Sequence, residues 1–150
     1  MNSKLPTDAM RLVEESRVIL EIKQERVIRR IAFLDSVPQC LREVVEPAAE
    51  EFAAQFPAYQ LKFEIEGREF PLTPELLIST HFETPLPNES FAVEFCYRPA
   101  NQDERLEFSM RMDGADWVRV NEFPISDILR EGVLMNLAAT LRTALKQRVA

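Results

Sequence analysis

The spacing of apolar and polar positions changes period twice along this chain. Over residues 7–35, TDAMRLVEESRVILEIKQERVIRRIAFLD, the residues Ala9, Leu12, Val13, Ser16, Ile19, Leu20, Val27, Ile31 and Leu34 recur at helical spacing and mark one face. Thr7 or Asp8 can cap the start by accepting from an orphan backbone N–H, and Arg29 and Arg30 suit the negative pole at the other end. Pro38 is expected to end the connection. Pro47 lacks an N–H and its ring presses on the preceding turn, so 38–46 and 47–56 are expected to be two short helices meeting at an angle.

From Tyr59 the period becomes two. In YQLKFEIE, residues 59–66, the apolar Tyr59, Leu61, Phe63 and Ile65 alternate with Gln60, Lys62, Glu64 and Glu66. A turn at Glu66-Gly67 would set Phe63 opposite Phe70 and Leu61 opposite Leu72. Thr73-Pro74-Glu75 looks like a helix start, yet the residues after it alternate, so 76–84 is expected to be a strand. SFAVEFCYR (90–98) and RLEFSMRMD (105–113) give the clearest strand signal. Pairing Arg98 with Arg105 aligns Tyr97/Leu106, Phe95/Phe108, Val93/Met110 and Phe91/Met112, all apolar. Asp113-Gly114 reads as a tight turn into residues 115–120.

The last element, 125–147, is expected to be a helix capped by Ser126. Ile128, Leu129, Leu134, Leu137, Ala138, Leu141 and Leu145 supply its apolar face, and Gly132 would mark close packing on the sheet. The sum is an α+β fold: a long N-terminal helix and short helices, an antiparallel meander of four or five strands, then a long C-terminal helix on one sheet face. It reads as one domain over 1–150, with 1–6 disordered. A 29-residue helix is roughly 43 Å long at ~1.5 Å per residue. An eight-residue strand spans only about 27 Å. The first helix is therefore expected to overhang its sheet, and a second copy of the chain, meeting Leu12, Ile19, Leu20 and Val27, is the simplest cover for its stripe.

Composition narrows the function classes. The 150 residues carry a formal charge of −7, and residues 57–123, with 6 basic and 13 acidic side chains, hold a charge equal to that total. Nucleic-acid binding needs the opposite sign over a coherent surface, so none is expected. No apolar run approaches the ~20 residues of a membrane helix, and no secretory signal is legible, so a cytoplasmic chain with no membrane role is expected. Cys40 and Cys96, with a single histidine, lack the paired spacing of a zinc site and read as reduced packing residues. No metal and no cofactor is expected.

Two places could carry chemistry. If 76–84 is a strand, His81 and Glu83 share its outer face, roughly 7 Å apart by the two-residue period. No nucleophile motif accompanies them, so no catalytic residue is assigned and an incidental histidine is the simpler reading. The hairpin 105–120 conflicts with itself. A two-residue turn pairs Met110 with Trp117 and Phe108 with Arg119, aiming Arg119 into the core, where it could meet an anionic ligand between sheet and helix. A three-residue loop pairs Met110 with Val118 and Phe108 with Val120, burying both valines and stacking Trp117 on Arg111 outside. A β-bulge or an edge strand with a snorkelling arginine is the third possibility. Trp117, Arg119, Arg111, His81 and Glu83 are thus the candidate ligand- or partner-binding residues.

In size and charge alone the chain resembles bacterial secretion chaperones, which interleave helices among their strands, whereas here both early helical segments precede the sheet. Its run of strands before a long helix is likewise similar to helix-grip folds. The reading that follows is a non-enzymatic protein-binding module, a dimeric, chaperone-like adaptor whose acidic sheet meets a basic protein partner. The alternatives are a small-ligand binder or enzyme with a cavity under the C-terminal helix, and an acidic mimic that inhibits a nucleic-acid-binding protein.

Overall fold

The computed structural model describes residues 4–56, 58–66, 73–82, 90–101 and 103–149. The chain divides into two compact units, residues 1–33 and 34–150. Helix α1 (Lys4–Cys40) supplies the described part of the first and opens the second. A π turn at Leu41–Val45 follows, then α2 (Glu46–Ala53), strands β1 (Ala58–Glu66), β2 (Thr73–Phe82), β3 (Phe91–Pro99), β4 (Arg105–Met112) and β5 (Val118–Pro124), and α3 (Arg130–Val149). The strands form one antiparallel sheet in sequence order, so the expected α+β meander is present.

Both prolines lie within helical backbone instead of ending it. Pro38 is inside α1, and Pro47 sits in the first turn of α2. The reason is a buried row at helical spacing that spans them: Val37, Leu41, Val45, Ala48, Ala49 and Phe52. Burying the large members Val37, Leu41, Val45 and Phe52 is worth about 1.5–3 kcal/mol each, together more than the roughly 3 kcal/mol an interior proline costs. Where Pro47 would strain an α-helix, the backbone widens, and the Glu46 N–H donates to the Leu41 carbonyl five residues back.

The sheet corrects two registers. Strand β1 pairs with residues 73–81, setting Leu61 opposite Ile78 and Phe63 opposite Leu76. The expected partners Phe70 and Leu72, and Gly67, lie outside the described residues. Pro74 is in β2 and not at a helix start; it pairs toward Ile65, before the β3 ladder begins at Leu76, where a missing N–H disrupts least. Strands β3 and β4 pair two residues away from the expected register: Val93 faces Met112, Phe95 faces Met110, Tyr97 faces Phe108 and Pro99 faces Leu106. A two-residue slip keeps every apolar side chain on its face, so the inner face cannot choose. The outer face does. The observed register sets Glu94 against Arg111 and Arg98 against Glu107, whereas the expected one would have opposed Arg98 to Arg105.

Phe95 and Phe108 stack at 5.8 Å on the inner face, and Phe52 of α2 meets Phe95 edge-on at 6.5 Å. Helix α3 starts later than expected. Ser126 lies in a short 3-10 turn, and Ile128 is extended at φ −83, ψ 111, and buried. The first bond of the helix runs from the Val133 N–H to the Leu129 carbonyl. Its buried face is Val133, Leu137, Thr140, Leu141 and Ala144, while Leu129 and Ala138 are exposed. A Cβ at Gly132 would meet nothing within 4 Å, so this glycine does not mark close packing. The Tyr97 hydroxyl accepts from Asn136 Nδ2 at 2.9 Å, tying β3 to α3. Burial pushes the Tyr97 phenol well above its ordinary range, the Asn136 bond opposing.

Candidate functional site

The hairpin after β4 combines parts of both expected registers. The Ala115 N–H donates to the Met112 carbonyl at 3.0 Å, with Asp113 at φ 53 and Gly114 at φ 72, so the two-residue turn forms. Residues 115–117 then leave the ladder, and pairing resumes with Met110 opposite Val118 and Ser109 opposite Arg119. A shift between Phe108 and Ser109 next sets Phe108 opposite Asn121, not Val120. Val118 and Val120 are 58% and 44% exposed, because the bulged edge strand carries them away from the core instead of burying them.

Trp117 therefore lies on the outer face, where the Arg111 guanidinium stacks 4.5 Å from its ring centroid. Arg111 also donates through Nε and Nη2 to both oxygens of Glu94, at 3.1 and 3.0 Å. These bonds hold the guanidinium pKa above its ordinary value, with desolvation opposing. Beside them is a shallow depression of about 150 Å³, lined by Glu64, Glu75, Leu77, Cys96, Arg98 and Ser109 with Arg111 and Trp117. Its lining cations are paired, Arg111 with Glu94 and Arg98 with Glu107 at 3.4 Å, and Lys62 bridges the lining Glu64. Cys96 and Ser109 are buried within it.

The other expected residues lie elsewhere. Arg119 is exposed, with Nη1 2.8 Å from Glu122 Oε1, and does not point into a core cavity. A depression between sheet and α3 measures about 80 Å³ and is lined by Tyr97, Phe123, Asp127, Ile128, Leu129, Gly132 and Val133. His81 is exposed near the end of β2, opposite Ala92 and Ala58. Glu83 lies outside the described residues, so the expected His81–Glu83 pair has no geometry to report. Sequence reasoning missed Asp113 as a junction. Its Oδ1 accepts from the Ala92 N–H at 3.1 Å and its Oδ2 from Arg148 at 3.0 Å, and Arg148 also stacks on Phe91. Only the Asp-Gly turn signal pointed to that position.

The second candidate surface is on α1. Residues 7–29 are exposed throughout, and Leu12, Ile19, Leu20 and Val27 are 63, 55, 62 and 57% exposed. Val18 and Ile22 form a short second row about 130° away, at 100° per residue. Local ion pairs join Glu14 to Arg17 at 2.8 Å and Arg17 to Glu21 at 4.0 Å.

Comparison of the chain with known protein families, with curated proteins and with solved structures finds no match. Among the described residues, no helix is long and apolar enough to cross a membrane, and no cluster of three histidine, cysteine or carboxylate groups could hold a metal ion. The two cysteines are free, Cys40 half-buried and Cys96 buried. Burial pushes the Cys40 thiol pKa upward.

Proposed function

We propose that this chain is a non-enzymatic protein-binding module, a cytoplasmic, dimeric adaptor whose binding element is the apolar stripe of α1. One observation carries the reading. Leu12, Val13, Ile19, Leu20 and Val27 are large, apolar, exposed and on one helix face. Water-facing stripes of that length mark interaction sites in folded chains. The outer sheet face offers a second, polar surface of tryptophan and arginine, residue types common at binding hot spots. There Glu64 faces Glu75, and Arg98 faces Glu107, which faces Glu122, an acidic bias suited to a basic partner. The interleaved Lys62, Arg98 and Arg111 count against an acidic nucleic-acid mimic. An 80 Å³ depression that Arg119 does not line is small beside the ~300 Å³ at which ligand pockets begin.

The test is substitution of Leu12 or Leu20 by glutamate. Each variant is expected to keep the wild-type circular dichroism and melting of the 34–150 unit while losing association, with itself or with a protein retained from lysate. A wild-type chain that is monomeric at the highest soluble concentration, and retains nothing the variants do not, contradicts the reading.

A further inference from the structure

We infer that the occupant of the α1 stripe is a second copy of this chain, paired antiparallel about the midpoint between Ile19 and Leu20. This rests on the reading of α1 as the binding element and names its partner. The stripe is symmetric about that point. Reversing α1 about that midpoint brings Leu12 onto Val27 and Ile19 onto Leu20, apolar on apolar, and sets the polar members Ser16 and Lys23 against each other. A parallel pair would instead place Lys23 directly against Lys23, a like-charge contact in the middle of an apolar seam.

Charge along the helix favours the same direction. Residues 7–21 carry four acidic and two basic side chains, whereas residues 22–33 carry one acidic and four basic. Antiparallel pairing lays the acidic half of one helix along the basic half of the other; parallel pairing stacks like on like. The flanks agree. At 100° per residue, Asp8, Glu15, Arg26 and Arg30 fall on the same side of the stripe. A two-fold axis perpendicular to two antiparallel helices turns that side toward its own copy. Asp8 and Glu15 of one helix then run beside Arg30 and Arg26 of the other, twice over by symmetry. Arg11 and Arg29, a like pair under the same reversal, fall on the far side of the helix from the seam.

The experiment is a spin–spin distance. Met10 is 71% exposed and tolerates a label, attached as Met10→Cys in a Cys40→Ser, Cys96→Ala background. Reversal about residues 19 and 20 puts the two labels about 30 Å apart, from the ~1.5 Å rise over twice 9.5 residues. A parallel pair gives roughly 15–20 Å, the ~10 Å between two packed helix axes plus the outward reach of two labels on the far side of the seam. Sedimentation equilibrium supplies the second measurement. Leu20→Glu is expected to raise the dimer dissociation constant by about 100-fold, and Ile22→Glu, off the seam, by less than about threefold. A short distance, or equal effects of the two substitutions, overturns the antiparallel pair. A wild-type chain that stays monomeric overturns self-pairing. If its α1 still binds another protein, the protein-binding reading stands while its dimeric part falls with this inference; if it binds nothing, both fall.

Discussion

Residues 7–29 and the unit formed by residues 34–150 are both built on periodic apolar positions, but the period ends in opposite environments. In the larger unit, Val37, Leu41, Phe95, Phe108 and Leu137 are essentially inaccessible to water. In α1, Leu12, Ile19, Leu20 and Val27 are more than half exposed. Nothing in the spacing distinguishes the two. Periodicity says which side chains share a face, and it is silent on what covers that face. A helix without tertiary cover draws little stability from propensity and local ion pairs. The stripe is thus an apolar face open to water, the feature on which the proposed self-pairing rests.

The sharpest way to break this contrast is to truncate one apolar side chain in each region. Phe95→Ala removes a ring that stacks on Phe108 and meets Phe52, and is expected to cost about 3–5 kcal/mol in urea unfolding. Leu12→Ala, measured where the chain is monomeric, is expected to shift stability by less than about 0.5 kcal/mol. Equal costs would mean that the stripe of α1 is packed within a single chain.

A smaller effect concerns Tyr97. Its folded pKa lies above the unfolded value near 10, so at high pH the folded state holds a proton the unfolded state has lost. Stability is therefore fully present below about pH 10 and falls as pH rises beyond it, by up to about 1.4 kcal/mol per pH unit from this group. Tyr97→Phe should lack that component. A matching alkaline slope in the variant would show that the Tyr97 phenol ionises as freely in the fold as in the unfolded chain.

Another small expected change is a gain. Gly132 is exposed in α3 with open space around its missing Cβ. Gly132→Ala should raise stability by about 0.5–1 kcal/mol, seen as a higher melting temperature. A loss would mean that α3 needs the glycine for a contact, as its sequence position first suggested.

How far these features were legible in the chain varies with the kind of information each needed. The meander, the faces of β2, β3 and β4 and the turn at Asp113-Gly114 came from period and turn chemistry alone. The β3–β4 offset did not, because Phe95 is equally content beside Phe108 or Met110; Glu94 with Arg111 and Arg98 with Glu107 hold the deciding information on the outer face. Pro38 and Pro47 looked like helix ends because a local rule was applied without the burial that outweighs it. The stacking of Trp117 on Arg111 was one of two registers the sequence could not separate. The structure uses the turn of one, part of the pairing of the other, and a bulge that neither contained. Asp113 joins the starts and ends of distant segments, which no local pattern encodes.

Hydrogen exchange followed by mass spectrometry over a dilution series tests most directly whether the α1 stripe is covered by another copy. Amides of residues 9–31 should exchange slowly in concentrated protein and progressively faster on dilution, while those of β3, β4 and α3 keep the same protection throughout. Protection of residues 9–31 that does not change with concentration would contradict the account.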